Sequence, residues 1–163
     1  MPTLALMKKA IVLFLFAAVL FGCQKSKNLS DIPKITFNSL TTAKLISGLD
    51  STAVLNFDYE DGDGNIGSLL EQPPPEYRNL FVNFFQLKNG VWSQPVLPVG
   101  FDGVIPNLTP KAKDKAISGD ITYNLILPPG AKNDTIRFTA YIVDRLNNKS
   151  NVITSSELVI NTP

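Results

Sequence analysis

The residues whose chemistry stands out lie between Asp58 and Gly67, in the sequence Asp-Tyr-Glu-Asp-Gly-Asp-Gly-Asn-Ile-Gly. Four acids fall within six residues, and the glycines that follow them permit backbone angles that other residues avoid. Asp61, Asp63 and Asn65 occupy alternate positions, so their side-chain oxygens can converge on one point in a tight turn. Converging oxygens suit Ca²⁺, which takes about six to eight such ligands and tolerates irregular geometry. We therefore predict a structural Ca²⁺ site on this loop.

The spacing matches the start of an EF-hand loop but not its remainder. An EF-hand requires glycine at its sixth position and glutamate at its twelfth, where this chain has Ile66 and Gln72. The predicted site is therefore not an EF-hand. A plain turn without metal is the alternative, because Asp-Gly repeats form turns whether or not a cation is bound.

The rest of the sequence is patterned as strands separated by turns. Apolar and polar residues alternate in most of these segments, as they do in half-buried strands, and Asn89-Gly90 marks a hairpin. The predicted strand segments are 32–40, 51–59, 79–88, 121–127, 135–144 and 152–160, with a short return strand after Gly90. No helical periodicity is sustained beyond the N-terminal segment. This pattern predicts an all-β fold, an immunoglobulin-like antiparallel β-sandwich of about seven strands.

This architecture determines which other residues approach the acidic loop. In an immunoglobulin-like sandwich, the connection between the second and third strands lies at the same end as the connection between the last two. The first of these connections contains the acidic loop, and the second begins at Asp144. We therefore predict one Ca²⁺ site shared by the two loops, with the ligands Asp61, Asp63, Asn65, Asp144 and Asn147.

The N-terminal residues have the pattern of an export signal. Lys8 and Lys9 precede an apolar run from Ala10 to Phe21, which is too short for a membrane span because a helix needs about 20 apolar residues to cross a bilayer. The run ends at Leu20-Phe21-Gly22-Cys23, which resembles the lipobox of bacterial lipoproteins. The resemblance implies cleavage before Cys23, acylation of that cysteine, and stable anchoring by several acyl chains. The alternative is an ordinary secretory signal with an incidental cysteine.

These boundaries predict a lipoprotein signal peptide over 1–22, a lipidated tether over 23–31 and the sandwich domain over 32–161. Surface-exported lipoproteins of Bacteroidetes-type bacteria tend to carry an acidic cluster just after the cysteine, and here Cys23 is followed by Gln24-Lys25-Ser26-Lys27-Asn28. The resemblance therefore implies a lipid-anchored protein of the outer membrane that faces the periplasm.

The composition excludes several classes of function. The chain has no histidine, which removes the commonest general base and most catalytic zinc sites. Cys23 is the single cysteine, so no intrachain disulfide can form. Removal of Lys8 and Lys9 changes the basic residues from 15 to 13 against 14 acids, a net charge of −1. That balance argues against a nucleic-acid partner.

Tyr77 and Trp92 are the aromatic residues predicted to be exposed and to bind a ligand, while the phenylalanines are predicted to fill the core. The expected function is a structural or protein-binding role at the membrane, with an envelope protein as partner and without enzymatic activity. A carbohydrate-binding module of the cell envelope, with a glycan as partner, is the alternative. A carboxylate-dependent hydrolase is the third, and it needs two acids facing each other across a cleft, which a single glycine turn does not supply.

The acidic loop and a second motif together resemble a known group of proteins. The second motif is Asp-Arg-Leu-Asn-Asn-Lys-Ser-Asn over 144–151. An uncharacterised group of Bacteroidetes lipoproteins with an immunoglobulin-like domain has a D-G-D-G-[DN]-I-G loop after an early strand and a D-R-x-x-N-x-S-N turn between the last two strands. The resemblance covers most of residues 32–160 and implies fold and location, but no reaction. Asn65 replaces an acid common in that group, which lowers the negative charge of the site by one.

Overall fold

The computed structural model describes residues 29–109 and 116–163, and these residues form eight β-strands and no helix. The strands are β1 (Lys34–Lys44), β2 (Asp50–Asp61), β3 (Leu80–Lys88), β4 (Val91–Ser93), β5 (Ile117–Ile126), β6 (Lys132–Ile142), β7 (Ile153–Thr154) and β8 (Leu158–Asn161). In this described part of the chain, no helix has the length and apolar character to cross a membrane. The predicted signal peptide, the lipidated Cys23 and the tether up to residue 28 lie outside the described residues.

The strands form two antiparallel sheets that pack face to face. The first sheet has the order β1-β2-β5, and the second has the order β4-β3-β6-β7, with β8 also paired to β6. This division is that of immunoglobulin-like sandwiches in which the fourth strand lies beside the third. The predicted β-sandwich is therefore confirmed.

The predicted last strand, 152–160, consists of the two short strands β7 and β8. The interruption lies at Ser155, whose backbone N–H donates to the Phe138 carbonyl at 2.9 Å. The Ser155 hydroxyl, rather than a backbone carbonyl, accepts the Phe138 N–H at 2.9 Å. A side chain thus replaces one bond of the ladder, and the regular pairing resumes at Leu158.

Alternation along the strands determines the core. The inward positions of β2 and β6 are almost completely buried, and they are Ala53, Leu55, Phe57, Ile136, Phe138, Ala140 and Ile142. Removing this apolar surface from water is the main force that holds two sheets together.

The lysines and glycines of residues 99–120 predict an exposed excursion after β4. This prediction is wrong for residues 101–108. Phe101 packs against Phe84 and Phe138, with ring centroids 5.7 and 5.4 Å away, and Ile105 is 4% exposed. The segment covers the free edge of β3, because the Asp102 carboxylate accepts the Val82 N–H at 2.8 Å. Long-range burial therefore overrides the exposure that the polar and glycine-rich sequence indicated.

The chain enters the domain beside the acidic loop. The Gly62 N–H donates to the Ser30 carbonyl at 2.7 Å, and the Asn151 side chain exchanges two 2.8 Å hydrogen bonds with the backbone of Ile35. We call this end of the sandwich, which contains the 61–67 loop and the 144–151 loop, the acidic pole. At the opposite end, the Gly130 N–H donates to the Pro163 carbonyl at 2.6 Å.

Candidate metal site

Three carboxylates from two separate loops meet at the acidic pole. Oxygens of Asp61, Asp63 and Asp144 all lie within 4.8 Å of one another, and the three residues could hold a metal ion. Asp61 is the last residue of β2, and Asp144 follows the end of β6. The proximity predicted from the sandwich topology is therefore present. We call these three residues the aspartate cluster.

Several oxygens of this site are buried without a partner. Asp61 is 0% exposed, and its Oδ2 accepts the Asn65 N–H at 2.8 Å. Asp61 Oδ1, Asp63 Oδ1 and Asn65 Oδ1 are buried and have no hydrogen-bond partner. A buried polar atom left unsatisfied costs about 1–3 kcal/mol, so three such oxygens within one loop require an explanation. They are also the oxygens of the loop residues predicted to bind Ca²⁺.

The hydrogen bonds of the loop leave these oxygens free. Asn65 Nδ2 donates to Asp63 Oδ2 at 2.7 Å, which fixes both side chains while their other oxygens stay unpaired. Asp144 is held from its own loop, because its Oδ1 accepts the backbone N–H of Leu146 at 2.9 Å and that of Asn148 at 2.7 Å. The carboxylates are thus oriented by the fold before any ion binds.

The amide that contacts Asp144 comes from Asn148, whose Nδ2 donates to Asp144 Oδ2 at 2.9 Å. Asn147, the predicted ligand, is exposed and has a φ of 65°. Its backbone N–H donates to the Asp144 carbonyl at 3.2 Å. Asn147 therefore shapes the turn, and its side chain as a metal ligand stays a prediction.

Arg145 also belongs to this site, although it was not among the residues predicted from the sequence. Its Nη1 donates to the carbonyls of Ile66 at 3.3 Å and Gly67 at 3.2 Å, and its Nη2 donates to that of Gly64 at 3.5 Å. The guanidinium thereby joins the two loops through carbonyls. Among the described residues, no ion pair links the aspartate cluster to a basic side chain, so its negative charge is not neutralised by Arg145.

Burial and neighbouring negative charges both raise the pKa of Asp61. Burial raises the pKa of its carboxyl group to about 6, the Asn65 N–H opposes that rise, and the carboxylates of Asp63 and Asp144 reinforce it. The fold therefore disfavours the ionised form of Asp61 in the absence of a cation. Proton and metal compete for the same oxygens, so Ca²⁺ affinity must increase as the pH rises through about 6.

This pKa shift predicts a pH dependence of the metal-free protein. Because the pKa of Asp61 is higher in the native state than its ordinary value of 3.8, protonation of Asp61 stabilises the fold fully below about pH 4, and this contribution is lost as the pH rises through about 6. We expect the wild-type protein in chelator to lose more stability between pH 5 and pH 7.5 than the Asp61→Asn variant does. Thermal melting at both pH values measures this difference, and equal losses in the two proteins would contradict it.

The predicted ligand-binding aromatics lie on different elements. Trp92, on β4, is half-buried, and the Arg137 guanidinium carbon lies 4.2 Å from the centroid of its ring. Tyr77 precedes β3, is half-buried, and donates its backbone N–H to the Pro74 carbonyl at 2.9 Å. No ring stacking joins Tyr77 to Trp92 in the described residues. Their role as ligand-binding residues stays a prediction.

Comparisons of this chain with protein-family models, with curated proteins and with solved structures found no match. Its function must therefore be inferred from the chemistry of its own residues.

Proposed function

We propose that this protein is a membrane-anchored lipoprotein of the bacterial envelope with a structural or protein-binding role, in which Ca²⁺ bound at the aspartate cluster joins the two loops of the acidic pole. The observation that carries the calcium site is the set of three buried, unpartnered oxygens on Asp61, Asp63 and Asn65 beside Asp144. A cation among them would satisfy oxygens that the protein itself leaves unpaired.

Charge supports the same proposal. Two carboxylates about 4 Å apart repel each other by about 1 kcal/mol in water, and by several-fold more when they are partly desolvated. Asp61 and Asp144 are 0% and 5% exposed, so water screens the cluster weakly. Carboxylate and amide oxygens favour Ca²⁺ over softer metals. Calcium sites of extracellular modules have dissociation constants of about 10⁻⁴–10⁻³ M, which is the range expected here.

The position of Ser30, near the start of the described residues, supports an anchor near the acidic pole. Ser30 is hydrogen-bonded to Gly62 of the acidic loop, and Cys23 precedes Leu29 by only a few residues in the sequence. An extended chain of about six residues spans at most about 20 Å. An acylated Cys23 would therefore hold the acidic pole toward the membrane and leave the outer faces of both sheets pointing sideways.

Labelling with a fatty acid tests the anchor. The full chain, expressed in a Gram-negative bacterium, is expected to incorporate a radiolabelled fatty acid and to fractionate with membranes, because acylation gives Cys23 its affinity for lipid. Cys23→Ser is expected to abolish the label while the protein keeps the melting behaviour of the wild type. Equal labelling of the two proteins would rule out Cys23 as the anchored residue.

The contacts of the aromatic residues and the burial of the acids distinguish the three functions considered for this protein. A carbohydrate-binding module needs ring faces open to a sugar, whereas Arg137 lies over Trp92 and Lys149 lies 3.7 Å from the centroid of Tyr141. A hydrolase needs two carboxylates that a substrate can reach, and the burial of Asp61 and Asp144 disfavours this. A structural or protein-binding role therefore has the stronger support.

A further inference from the structure

The outer faces of the two sheets carry charges of opposite sign. The outward positions of β3 and β6, together with Trp92 and Lys149, form a surface that we call the cationic face. It carries the charged residues Arg137, Lys149 and, at its far end, Lys132, and no carboxylate occupies an outward position of β3, β4 or β6. The outer face of the first sheet, which we call the anionic face, carries Asp58 and Asp120.

Aromatic rings hold the Arg137 and Lys149 side chains of the cationic face in place. The Arg137 guanidinium carbon lies 4.2 Å from the centroid of Trp92 and 5.7 Å from that of Phe85. Lys149 lies over Tyr141, which is itself stacked on Phe81 at 4.9 Å. Such cation–π contacts fix the direction of a charge without neutralising it. Tryptophan, tyrosine and arginine are also the residues that contribute most to protein–protein interfaces.

Within the described residues, no carboxylate forms an ion pair with Arg137. Its Nε is buried and has no hydrogen-bond partner, and no ion pair involving Arg137 or Lys149 is found within residues 29–109 and 116–163. Arginine offers five N–H donors in a planar fork and can serve two carboxylates at once. Arg137 is therefore positioned to meet acidic groups of another molecule.

The anionic face carries the negative charge that complements Arg137. Asp58 and Asp120 are exposed and stand directly opposite each other in the register of β2 and β5. Like charges at opposite positions of neighbouring strands destabilise a sheet, because their Cβ atoms are only about 5 Å apart. The Asp58 carboxylate accepts a hydrogen bond from the neutral Asn38 amide, at 2.6 Å. Lys34 stands on the same face, opposite Glu60.

We propose that the cationic face of one copy binds the anionic face of a second copy of this chain, with Arg137 placed between Asp58 and Asp120 of that copy. The two faces lie on opposite sides of the sandwich, so the contact is heterologous and produces a row of copies rather than a closed dimer. This contact between copies does not depend on the lipid anchor at Cys23. The alignment of the row along a membrane rests on the proposed function, because a tether at the acidic pole leaves both faces pointing sideways.

Sedimentation of the full chain in a nonionic detergent tests the contact. At low ionic strength the average mass is expected to grow with protein concentration, and about 0.5 M NaCl is expected to suppress that growth because salt screens exposed charges. Arg137→Glu and the double variant Asp58→Lys/Asp120→Lys are each expected to weaken association at least about tenfold, since like charges then oppose each other. Lys88→Glu makes the same charge change at an exposed position that alternates with the outward positions of β3, and it is expected to have no effect.

Mixing the two charge-reversed proteins gives the most specific result. Each is expected to stay monomeric alone, while an equimolar mixture regains association because the reversed faces again complement each other. Melting midpoints of both variants verify their folding.

The proposal is overturned if the wild type stays monomeric at low salt, or if neither reversal changes its association. It is also overturned if Arg137 instead mediates binding of an acidic polysaccharide to a monomeric protein. Cys23→Ser is expected to associate as the wild type does, so failure of the anchor and failure of the contact remain distinguishable.

Discussion

Calcium at a hundredfold excess over its dissociation constant is expected to raise the melting midpoint of the wild-type protein by about 10 °C relative to chelator. Binding to the native state alone contributes about 2.7 kcal/mol at that concentration, and a domain of this size gains about 3–5 °C per kcal/mol. The cation satisfies the unpartnered oxygens of Asp61, Asp63 and Asn65 and removes the repulsion within the aspartate cluster. Differential scanning calorimetry in chelator and in Ca²⁺ up to about 100 mM, a hundredfold excess over a dissociation constant of about 10⁻³ M, measures the shift.

Asp61→Asn separates a metal site from a plain turn. The variant keeps an oxygen for the Asn65 N–H but removes a charge from a fully buried position. At neutral pH it is therefore expected to melt a few degrees above the wild type in chelator and below it in saturating Ca²⁺, so that the order of the two proteins inverts. Asp120→Asn removes an exposed acid outside the cluster and is expected to leave the calcium shift unchanged. Identical wild-type midpoints in chelator and in about 100 mM Ca²⁺ would show that the loop is a turn without metal.

The parts of this site that the sequence predicted follow from local patterns combined with topology. Alternation in β2 and β6 determines which side chains point inward, and the ends of these strands carry the acidic loop and Asp144. Once a sandwich is assumed, the two loops must lie at one pole. Burial of Asp61 at 0% exposure was not predictable in this way, because it depends on how neighbouring loops cover the end of β2.

The different contacts of Asn147 and Asn148 could not be predicted from the local sequence. Both amides follow Asp144 closely, and nothing in the sequence distinguishes them as partners. Asn147 adopts the left-handed conformation, with a φ of 65°, which asparagine tolerates better than most residues. Asn148 then returns to Asp144 with both its backbone N–H and its amide.

The long-range polar contacts could not be predicted from the sequence either. The Asn79 side chain donates to the Ile105 carbonyl at 3.0 Å and accepts the Ile105 N–H at 2.6 Å, so that an amide takes the place of a neighbouring strand. No alternation or turn signal links two residues so far apart in the chain. Arg145 and the carbonyls of the acidic loop present the same difficulty, because backbone acceptors have no signature in a sequence.

These contacts imply that Arg145 and a bound cation would join the two loops of the acidic pole independently of each other. Arg145 binds carbonyls of Ile66 and Gly67, while a cation would bind carboxylates. Removing calcium should therefore loosen the 61–67 loop without releasing it. The loop is also held from a third side, because the Ser68 N–H donates to the Ile105 carbonyl at 2.9 Å and Ser68 forms a parallel bridge with Pro106.

Replacing Gly67 by alanine is expected to destabilise the protein by about 3–5 kcal/mol, among the largest effects of a single substitution. Gly67 has a φ of +98°, and a Cβ atom there would overlap the backbone carbonyl of Pro106. Neither backbone can retreat easily, because the bonds of Ser68 and the Arg145 contact to the Gly67 carbonyl hold them together. Urea unfolding measures the loss through the midpoint, provided that the slope of the transition is unchanged.

Gly48→Ala is the matched control for this substitution. Gly48 has a similarly positive φ of +83°, but no atom lies within 4 Å of the position that its Cβ would take. Its replacement by alanine therefore reports backbone strain alone, about 1 kcal/mol. The excess in Gly67→Ala measures how tightly the 105–107 segment presses on the acidic loop, and that variant is also expected to bind Ca²⁺ more weakly because the carboxylates are displaced. Equal losses in the two variants would mean that the loop yields freely, and the fold would then not hold its oxygens in place for a cation.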